Sequence, residues 1–469
     1  MKPRPLHTLI RNDAFPSAVL GSLLLSGCNM APDHVRPVAP VPQTWPQGGA
    51  YAPTNSTESA AGLRWSELVK DQRLATLIDR ALSSNRDLRA TMASVLAARA
   101  RYRVDRAARL PTLNAGASMP NQQQGWNGSM EDSYSADLGI SAFEIDLFGR
   151  VRNEAQSALE NWLATQEGAR AAHISLVAET ASAWATLSAD QQLLTLAQQT
   201  QANAERSLAL TRSLQQAGLS SGLDVQQAQT VVQQTRADAA NARTQVAQDR
   251  NALELLVGGP VGDDLLPPPL AQLAPAISQV PAGLSSDILL ARPDVLQAEH
   301  LLKAANADIG AARAALFPTI SLTAAIGTAS GALSALFTGD SFNASVTPSA
   351  RYSIFGGGRS ANLDASKAEK DRAVAQYEYA IQSAFKEVSD ALARAGTMAE
   401  QQQAQQDLVR ASRRYHQLAE QRYRVGISTY QATLDAQRTL YSAEQRAVAT
   451  ELAAVLNRIT LYRVIGADF

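Results

Sequence analysis

The sequence predicts a mixed α/β protein in which one structural unit occurs twice. Three observations support this prediction: a near-constant offset between matching segments, short segments in which apolar and polar residues alternate, and long stretches without proline. The offset indicates a duplication, the alternation indicates β-strands, and the absence of proline allows helices of unusual length.

Matching segments in the two halves of the chain lie 207 or 208 residues apart. Pro111 in ARLPTLNAGAS matches Pro318 in ALFPTISLTAA, and the offset is 207 residues. Gly218 in QQAGLSSGLDVQQAQ matches Gly426 in YRVGISTYQATLDAQ, 208 residues further along. Because nearly the same offset relates separate matches, we expect both halves to share one order of elements.

Proline placement sets the predicted boundaries. Prolines are concentrated in an N-terminal stretch and a central stretch, and none lies between Asn121 and Gly259 or after Ser349. The predicted segments are a signal peptide at 1–27, an extended tether at 28–62, a first repeat at 63–257, a Pro-rich connector at 258–284 and a second repeat at 285–469.

The single cysteine of the chain, Cys28, lies directly after a short apolar stretch. A basic head followed by a short apolar segment is typical of a secretory signal peptide. Leu25-Ser26-Gly27-Cys28 resembles the bacterial lipobox, in which the cysteine becomes the first residue of the mature chain and carries lipid. The alternative is an ordinary signal peptide with an incidental cysteine. A lone cysteine can form no disulfide within the chain, so the mature protein depends on its core or its assembly.

The composition excludes several function classes. A net charge of −1 with 18% charged residues does not indicate a nucleic-acid surface. No stretch after Cys28 is apolar for long enough to predict a transmembrane helix. The histidines show no metal-ligand spacing, and no catalytic constellation is evident. We therefore predict no catalytic residues, no metal site and no enzymatic activity. The five histidines are His7, His34, His173, His300 and His416.

Each repeat is predicted to begin with an Ala-rich helical segment, at 63–109 and at 287–316. Two alternating segments follow in each repeat, which predicts four strands at about 111–121, 133–147, 318–328 and 341–354. In the last of these, even positions are mostly apolar and odd positions are mostly polar. Such a strand fits either a half-buried soluble sheet or a membrane barrel with a wet lumen, and periodicity does not distinguish them. Four strands cannot enclose a lumen, so a barrel would require several chains.

Long helices are predicted to complete each repeat. The stretch 149–217 contains no proline, and a helix of that length would extend roughly 100 Å. Ile174, Val177, Ala181 and Trp184 follow the spacing of a coiled-coil seam, so we expect the helices to pack side by side. A periplasmic coiled-coil rod would explain the helices, but it would leave the strands and the duplication unexplained.

Several motifs together resemble the TolC family of outer-membrane efflux proteins, and within it the OprM/NodT-type lipoprotein branch. They are the lipobox at Cys28, the 207-residue duplication, RPDV at 292–295, FPTISL at 317–322, SIFGGGR at 353–359 and LDAQRTLY at 434–441. The resemblance implies a homotrimer in the bacterial outer membrane. Each chain would give four strands to a 12-stranded β-barrel, which a long periplasmic α-helical coiled-coil barrel would continue.

The resemblance also implies a function and partners. The expected function is the exit duct of a tripartite efflux pump, which conducts drugs or other small compounds passively. The expected partners are a periplasmic adaptor (membrane fusion) protein, an inner-membrane RND-type transporter and outer-membrane lipid, without a cofactor other than the covalent lipid on Cys28. The alternatives are the duct of a type I protein secretion system and, from another class, a periplasmic coiled-coil structural lipoprotein.

Two sets of site residues follow from the resemblance. The adaptor-docking tips are implied at Gly218, Leu219, Val425, Gly426, Ile427 and Thr429, for which a plain turn is the alternative. The residues implied to form a periplasmic gate are Gln431, Asp435, Arg438 and Asp224. Gln431, Asp435 and Arg438 share one helix face, and Asp435 with Arg438 could equally form a solvated i,i+3 pair.

Two further motifs are interpreted as structural. Arg292-Pro293-Asp294 predicts a helix start, with proline at the first helical position and aspartate in the first turn. Gly149 and the run 356–358 follow strands and precede long helices, so we expect them to form strand-to-helix turns. They lack the sequence context of a phosphate-binding loop.

Overall fold

The computed structural model describes residues 29–51, 64–123, 130–273 and 286–466. The chain forms two compact units. The first contains the N-terminal segment up to residue 38 with 95–165 and 298–377. The second contains 39–94, 166–297 and 378–469. Each unit therefore combines segments from both predicted repeats.

Within the described residues, the helices and strands follow the predicted order. The helices are α1 (Trp65–Leu68), α2 (Gln72–Ser84), α3 (Arg86–Ala107), α4 (Arg150–Gln216), α5 (Gly222–Val257), α6 (Pro293–Ala314), α7 (Arg359–Arg424) and α8 (Tyr430–Ile465). The strands are β1 (Leu113–Ser118), β2 (Asn121–Gln123), β3 (Met130–Asp132), β4 (Tyr134–Glu144), β5 (Thr319–Ser330) and β6 (Phe342–Arg351). Every helix in the described ranges is too short or too polar to serve as a membrane span.

Helix lengths confirm the duplication. The long helices α4 and α7 contain 67 and 66 residues, and the following helices α5 and α8 contain 36 residues each. Gly258 and Gly466 end α5 and α8 in the left-handed conformation, with φ of 79° and 71°. A residue with a Cβ is strained in that conformation, so the same end signal is used in both repeats.

The prediction of one helical segment at 63–109 is wrong in one respect, because this segment is divided into α1, α2 and α3. The Asp71 carboxylate accepts from the amides of Arg73 and Leu74 and thereby caps α2. The Asn85 side chain accepts from the amide of Leu88 at 2.8 Å at the start of α3. Short polar residues at these positions end one helix and begin the next. The second segment, predicted at 287–316, likewise begins as a 3-10 turn, Ser286–Ala291, before α6.

The four main strands form one antiparallel sheet in the order β1-β4-β5-β6. This sheet confirms the four predicted strands, although β1 is shorter than expected. A separate two-stranded sheet of β2 and β3 is not predicted by the sequence pattern. Each of these strands has three residues, which is too short for a period-two pattern to appear.

A bulge in β4 explains why the alternation changes phase within that strand. The register against β5 shifts between Ile140 and Phe143, and Ala142 has a positive φ of 48°. Its amide donates to the Thr323 hydroxyl at 3.2 Å instead of joining the regular ladder. The extra residue moves the apolar positions from even to odd numbers, so that Phe143 continues the apolar face.

The apolar face of the sheet is exposed in the single chain. Leu113 is 63% exposed, Leu138 43%, Ile326 49% and Val346 71%. These side chains therefore do not lie over a core of their own chain, and the soluble half-buried sheet is the wrong interpretation. Among the described residues, β1 and β6 form the two edges of the sheet and each has one strand partner.

The core of the second unit is built by helices. The predicted seam residues Ile174, Val177, Ala181 and Trp184 are at most 4% exposed. They pack with apolar residues of α2 and α8 in one cluster. The Trp184 indole donates to the Leu265 carbonyl at 3.0 Å, which satisfies the polar atom of this buried ring.

A buried arginine connects three helices of the second unit. Arg292 lies directly before α6, which begins at Pro293 as predicted. The Arg292 guanidinium donates to Asp294 Oδ2 at 2.6 Å, to Glu387 Oε2 of α7 at 3.1 Å and to the Val464 carbonyl at 2.5 Å. The cation is therefore paired, and a carbonyl in the last turn of α8 gains a donor.

The first repeat contains a neutral counterpart of this contact. The Asn85 side chain donates to the Leu256 carbonyl in the last turn of α5 at 2.9 Å. Asn85 precedes Arg292 by 207 residues, and Leu256 precedes Val464 by 208. Both repeats thus join the start of an Ala-rich helix to the end of the 36-residue helix through one side chain.

The predicted tether is extended in its described part, without helix or strand from residue 29 to 51. Trp45 in this segment is 7% exposed and stacks on Phe385 of α7 with ring centroids 4.9 Å apart. The Gln43 carbonyl accepts from the amide of Ser286 at 3.4 Å. Residues 43–45 are therefore packed within the second unit.

We expect Arg292→Ala to destabilise the protein by about 3 kcal/mol or more, because it leaves carboxylates and a carbonyl without their buried partner. The matched control is Arg424→Ala, since Arg424 pairs with Glu420 at the surface and its side chain is 62% exposed. Urea unfolding of the purified proteins, followed by circular dichroism, measures the difference. Equal midpoints for the two variants would contradict the structural role of Arg292.

Candidate functional site

The two long helix pairs end in turns of the same geometry. Gly218 and Gly426 each have positive φ, 76° and 78°. The amide of the residue after each glycine donates to the carbonyl five residues back at 2.8 Å. This is the Schellman pattern, in which a left-handed glycine ends a helix and satisfies its last carbonyls. The predicted turns at these glycines are therefore confirmed.

Large apolar side chains are exposed at both turns. Leu219 is 74% exposed, Val425 67% and Ile427 68%. Leu223, at the start of α5, is 67% exposed beside the first turn. Exposed apolar clusters of this kind indicate interaction surfaces. Leu223 is not among the predicted tip residues, although an apolar residue at a helix start without a seam partner is a signal that the sequence contains.

All six predicted tip residues lie in these two turns. Gly218 and Leu219 follow α4, and the other four follow α7: Val425, Gly426, Ile427 and Thr429. Thr429 is the N-cap residue of α8, but its side chain makes no capping hydrogen bond.

A tyrosine pair packs the two hairpins against each other next to the turns. Tyr423 and Tyr430 lie with ring centroids 5.5 Å apart, tilted by 57°. The Tyr423 hydroxyl donates to the Thr211 hydroxyl of α4 at 3.1 Å. Both rings join a buried apolar cluster with residues of α4 and α5. Burial also raises the pKa of Tyr430.

Asp224 belongs to the first turn. Its Oδ2 atom accepts from the Ser221 amide at 2.9 Å and from the hydroxyls of Ser221 and Ser220 at 2.8 and 3.0 Å. The Ser221 hydroxyl accepts from the Asp224 amide in return, which completes a capping box. The Ser221 amide is the main reason why the pKa of Asp224 is lowered. Within its own chain, Asp224 therefore stabilises the start of α5.

Gln431, Asp435 and Arg438 lie on one exposed face of α8, as predicted. The Gln431 amide donates to Asp435 Oδ1 at 3.1 Å. Over the described part of the chain, no salt bridge joins Asp435 to Arg438. The structure thus brings Gln431 and Asp435 together in one chain and leaves Arg438 exposed beside them.

The glycines that follow strands confirm the predicted strand-to-helix turns. Gly149 has φ of 79°, and Gly356, Gly357 and Gly358 have φ of 85°, 89° and 60°. Such values favour glycine because a Cβ would be strained. In the described ranges, His, Cys, Asp and Glu side chains form no group of three or more that could hold a metal ion.

We expect Asp224→Ala to reduce local stability at the first turn by about 1 kcal/mol, the usual contribution of a helix cap. Hydrogen exchange of the amides at the start of α5 should then become roughly 5-fold faster, while Asp238→Ala on the same helix should leave them unchanged. Because the pKa of Asp224 is lowered from 3.8, the contribution is complete above that value and is lost as the pH falls through the lowered pKa. Unaltered exchange in Asp224→Ala would contradict the capping role.

Comparison with known proteins agrees with this architecture. The family model described as "Outer membrane efflux protein" matches residues 77–259 and 284–467, and thus both repeats. The chain is 44% identical over 458 residues to the "Antibiotic efflux pump outer membrane protein ArpC" of Pseudomonas putida, covering 96% of this chain and 94% of the relative. The "Toluene efflux pump outer membrane protein TtgC", also of Pseudomonas putida, shows the same identity and coverage.

A solved structure shares the fold over most of the chain. It is described as "Crystal structures of CusC review conformational changes accompanying folding and transmembrane channel formation". The TM-score is 0.83 at 38% identity, and the match covers 94% of this chain and 100% of the other. The chain belongs to the outer membrane efflux protein family, and it is therefore a transport protein of the outer membrane and not an enzyme.

Proposed function

We propose that this protein is the outer-membrane exit duct of a tripartite efflux pump, through which drugs and other small compounds pass passively to the outside. The main supporting observation is the exposed apolar face of a four-stranded sheet, with Leu113 63% and Val346 71% exposed. A face of this kind suits contact with lipid. Membership of the outer membrane efflux protein family supports both the location in the outer membrane and the role in efflux.

A homotrimer would complete the duct. Four strands cannot enclose a lumen, whereas three copies would supply twelve. The edges β1 and β6 each have one partner in the described chain, so β6 of one copy could pair with β1 of the next. Twelve strands would then form a closed barrel without edges, which removes the unpaired backbone groups that lipid cannot satisfy.

The names of the relatives favour small compounds over proteins as cargo. One relative is named for antibiotic efflux and another for toluene efflux. By this resemblance, the present chain would work with a periplasmic adaptor and an inner-membrane RND-type transporter, which would select the compound and supply the energy.

Three measurements test the proposed function. The purified protein should run as a heat-labile trimer and form discrete channels in planar bilayers, and deletion of its gene should increase sensitivity to antibiotics or organic solvents. A monomer without channel activity would favour the structural lipoprotein instead. Unchanged drug sensitivity with loss of a secreted protein would favour the type I secretion duct.

The two turns would serve as the periplasmic end of the duct. The exposed apolar residues Leu219, Leu223, Val425 and Ile427 would form the surface on which the adaptor docks. Gln431, Asp435 and Arg438 would restrain the aperture of the closed duct through contacts between copies. Asp224 would support this arrangement by holding the first turn in shape.

Cys28 lies outside the described residues, so lipid attachment at this residue is proposed from the lipobox in the sequence. The thiol would carry the covalent lipid expected from the lipobox. One acyl attachment adds membrane affinity but conducts nothing, so the sheet remains the element that would cross the membrane.

If charge contacts restrain the aperture, their removal shifts the population toward the open state. We therefore expect Asp435→Ala combined with Arg438→Ala to raise single-channel conductance in planar bilayers. Lys386→Ala with Asp390→Ala is the matched control, because it removes an exposed 2.6 Å ion pair elsewhere, on α7. The same conductance in both double variants would remove Asp435 and Arg438 from the proposed gate.

A further inference from the structure

A short N-terminal segment lies along one face of α6. We call residues 30–36 the strap. The Met30 carbonyl accepts from Arg313 Nη1 at 3.2 Å, and His34 Nδ1 lies 3.2 Å from the Asn306 amide nitrogen. Further along the strap, the Arg36 guanidinium binds Glu299 through Nε at 3.1 Å and through Nη2.

The three partners on α6 are spaced every seven residues, at Glu299, Asn306 and Arg313. Seven residues correspond to about two helical turns, so all three project from one face. The rise over these 14 residues is about 21 Å, and the six steps from Met30 to Arg36 span about 20 Å when extended. The helix face and the extended strap therefore match in length.

Polar contacts, and not apolar burial, hold the strap. Val35 within it is 79% exposed, and Val38 just beyond it is 90% exposed. The buried partner is Glu299, whose side chain is only 7% exposed. Glu299 Oε2 accepts from Arg36, and Oε1 lies 3.0 Å from Lys303 Nζ.

The charge state of Glu299 depends on this pairing. Burial alone would raise its pKa, but the hydrogen bonds from Arg36 and Lys303 outweigh burial and lower the pKa. The carboxylate is therefore ionised while the strap is bound. A buried carboxylate that loses one of its two cationic partners is destabilised, so Glu299 favours the bound strap.

His34 is held as a neutral ring. The amide nitrogen of Asn306 can only donate, so His34 Nδ1 accepts from it and carries no proton. Burial and the nearby Lys303 cation lower the pKa of His34, in agreement with a neutral ring.

Gly310 lets the strap approach the helix closely. A Cβ added at Gly310 would lie 2.8 Å from the N, Cα and Cβ atoms of Ala31. These atoms belong to or adjoin the backbone and cannot rotate away, so the strap itself would have to move. Glycine inside a helix is about 0.5–1 kcal/mol less favourable than alanine. The close approach at Ala31 gives a reason for glycine here.

We infer that this face of α6 is a docking site for the N-terminus of the chain, which binds residues 30–36 in an extended form and fixes where the lipid is attached. The lipid-positioning role rests on the proposed lipidation of Cys28. One residue separates Cys28 from Met30, and five separate Arg313 from Thr319, where β5 begins. The docking site thus joins the lipid-bearing end to the segment that enters the sheet.

The experiment uses the full-length protein with a nitroxide label at Asp33→Cys, an exposed strap position. The acylated Cys28 does not react, so the new thiol is the single labelling site. We expect a motionally restricted spectrum. Gly310→Ala should convert most of the signal to a mobile component, although alanine favours the helix. Gly168→Ala in α4 is the matched control, because its Cβ would meet only the flexible Gln297 side chain.

Exchanging the charges of Arg36 and Glu299 provides a second test of the docking site, which does not depend on packing at Gly310. Arg36→Glu should release the label, and Arg36→Glu combined with Glu299→Arg should restore restriction. A label that stays restricted in both Gly310→Ala and Arg36→Glu, in protein that still runs as a heat-labile trimer, would overturn the docking site.

Palmitate labelling tests the lipid-positioning role separately from the proposed duct function. Parent protein should incorporate palmitate, and Cys28→Ala with a substitute signal peptide should not, while its strap label should remain restricted. Absence of palmitate from the parent would overturn the lipid-positioning role. Bilayer conductance of the same preparations reports the duct function independently of the strap.

Discussion

The arrangement of the helical unit depends on how the last carbonyls of α5 and α8 are satisfied. Helix ends leave carbonyls without intrahelical donors, and here each end lies against the start of another helix. Asn85 serves this purpose in one repeat and Arg292 in the other. The arginine also holds Asp294 and Glu387, so the second repeat has an ionic connection to α7 that the first lacks. Asn85 and Arg292 occupy equivalent positions and make the same helix-end contact in both repeats. Only the arginine adds ionic contacts, so the two repeats differ there.

Most of the fold could be predicted from local patterns. The long helices follow from proline-free heptads, and the turns follow from glycines related by one offset. The phase change in β4 could not be interpreted from the pattern alone, because only the bulge at Ala142 shows that Phe143 continues the apolar face. The exposure of that face depends on which elements cover it, and periodicity carries no such information. The strap was missed because Arg36 and Glu299 are 263 residues apart.

The two turns share a backbone but differ in their caps. The first has a capping box of Ser221 and Asp224, whereas Thr429 at the second makes no side-chain capping bond. A cap is worth about 1 kcal/mol, so the start of α8 is held less firmly by its own residues. Three of the proposed gate residues, Gln431, Asp435 and Arg438, lie just beyond that start. A helix start with few local restraints suits an element whose position is set by neighbouring copies.

The exposed sheet has a consequence for the way in which stability is measured. Its apolar face and its two edges gain partners only from lipid or from other copies. Folding of the sheet is then coupled to association, and its apparent free energy of unfolding depends on protomer concentration. A moderately destabilising substitution would be tolerated at high expression and would reduce yield steeply at low expression. In an isolated protomer, correct closure of the barrel would also compete with irregular strand pairing, because free strand edges promote aggregation.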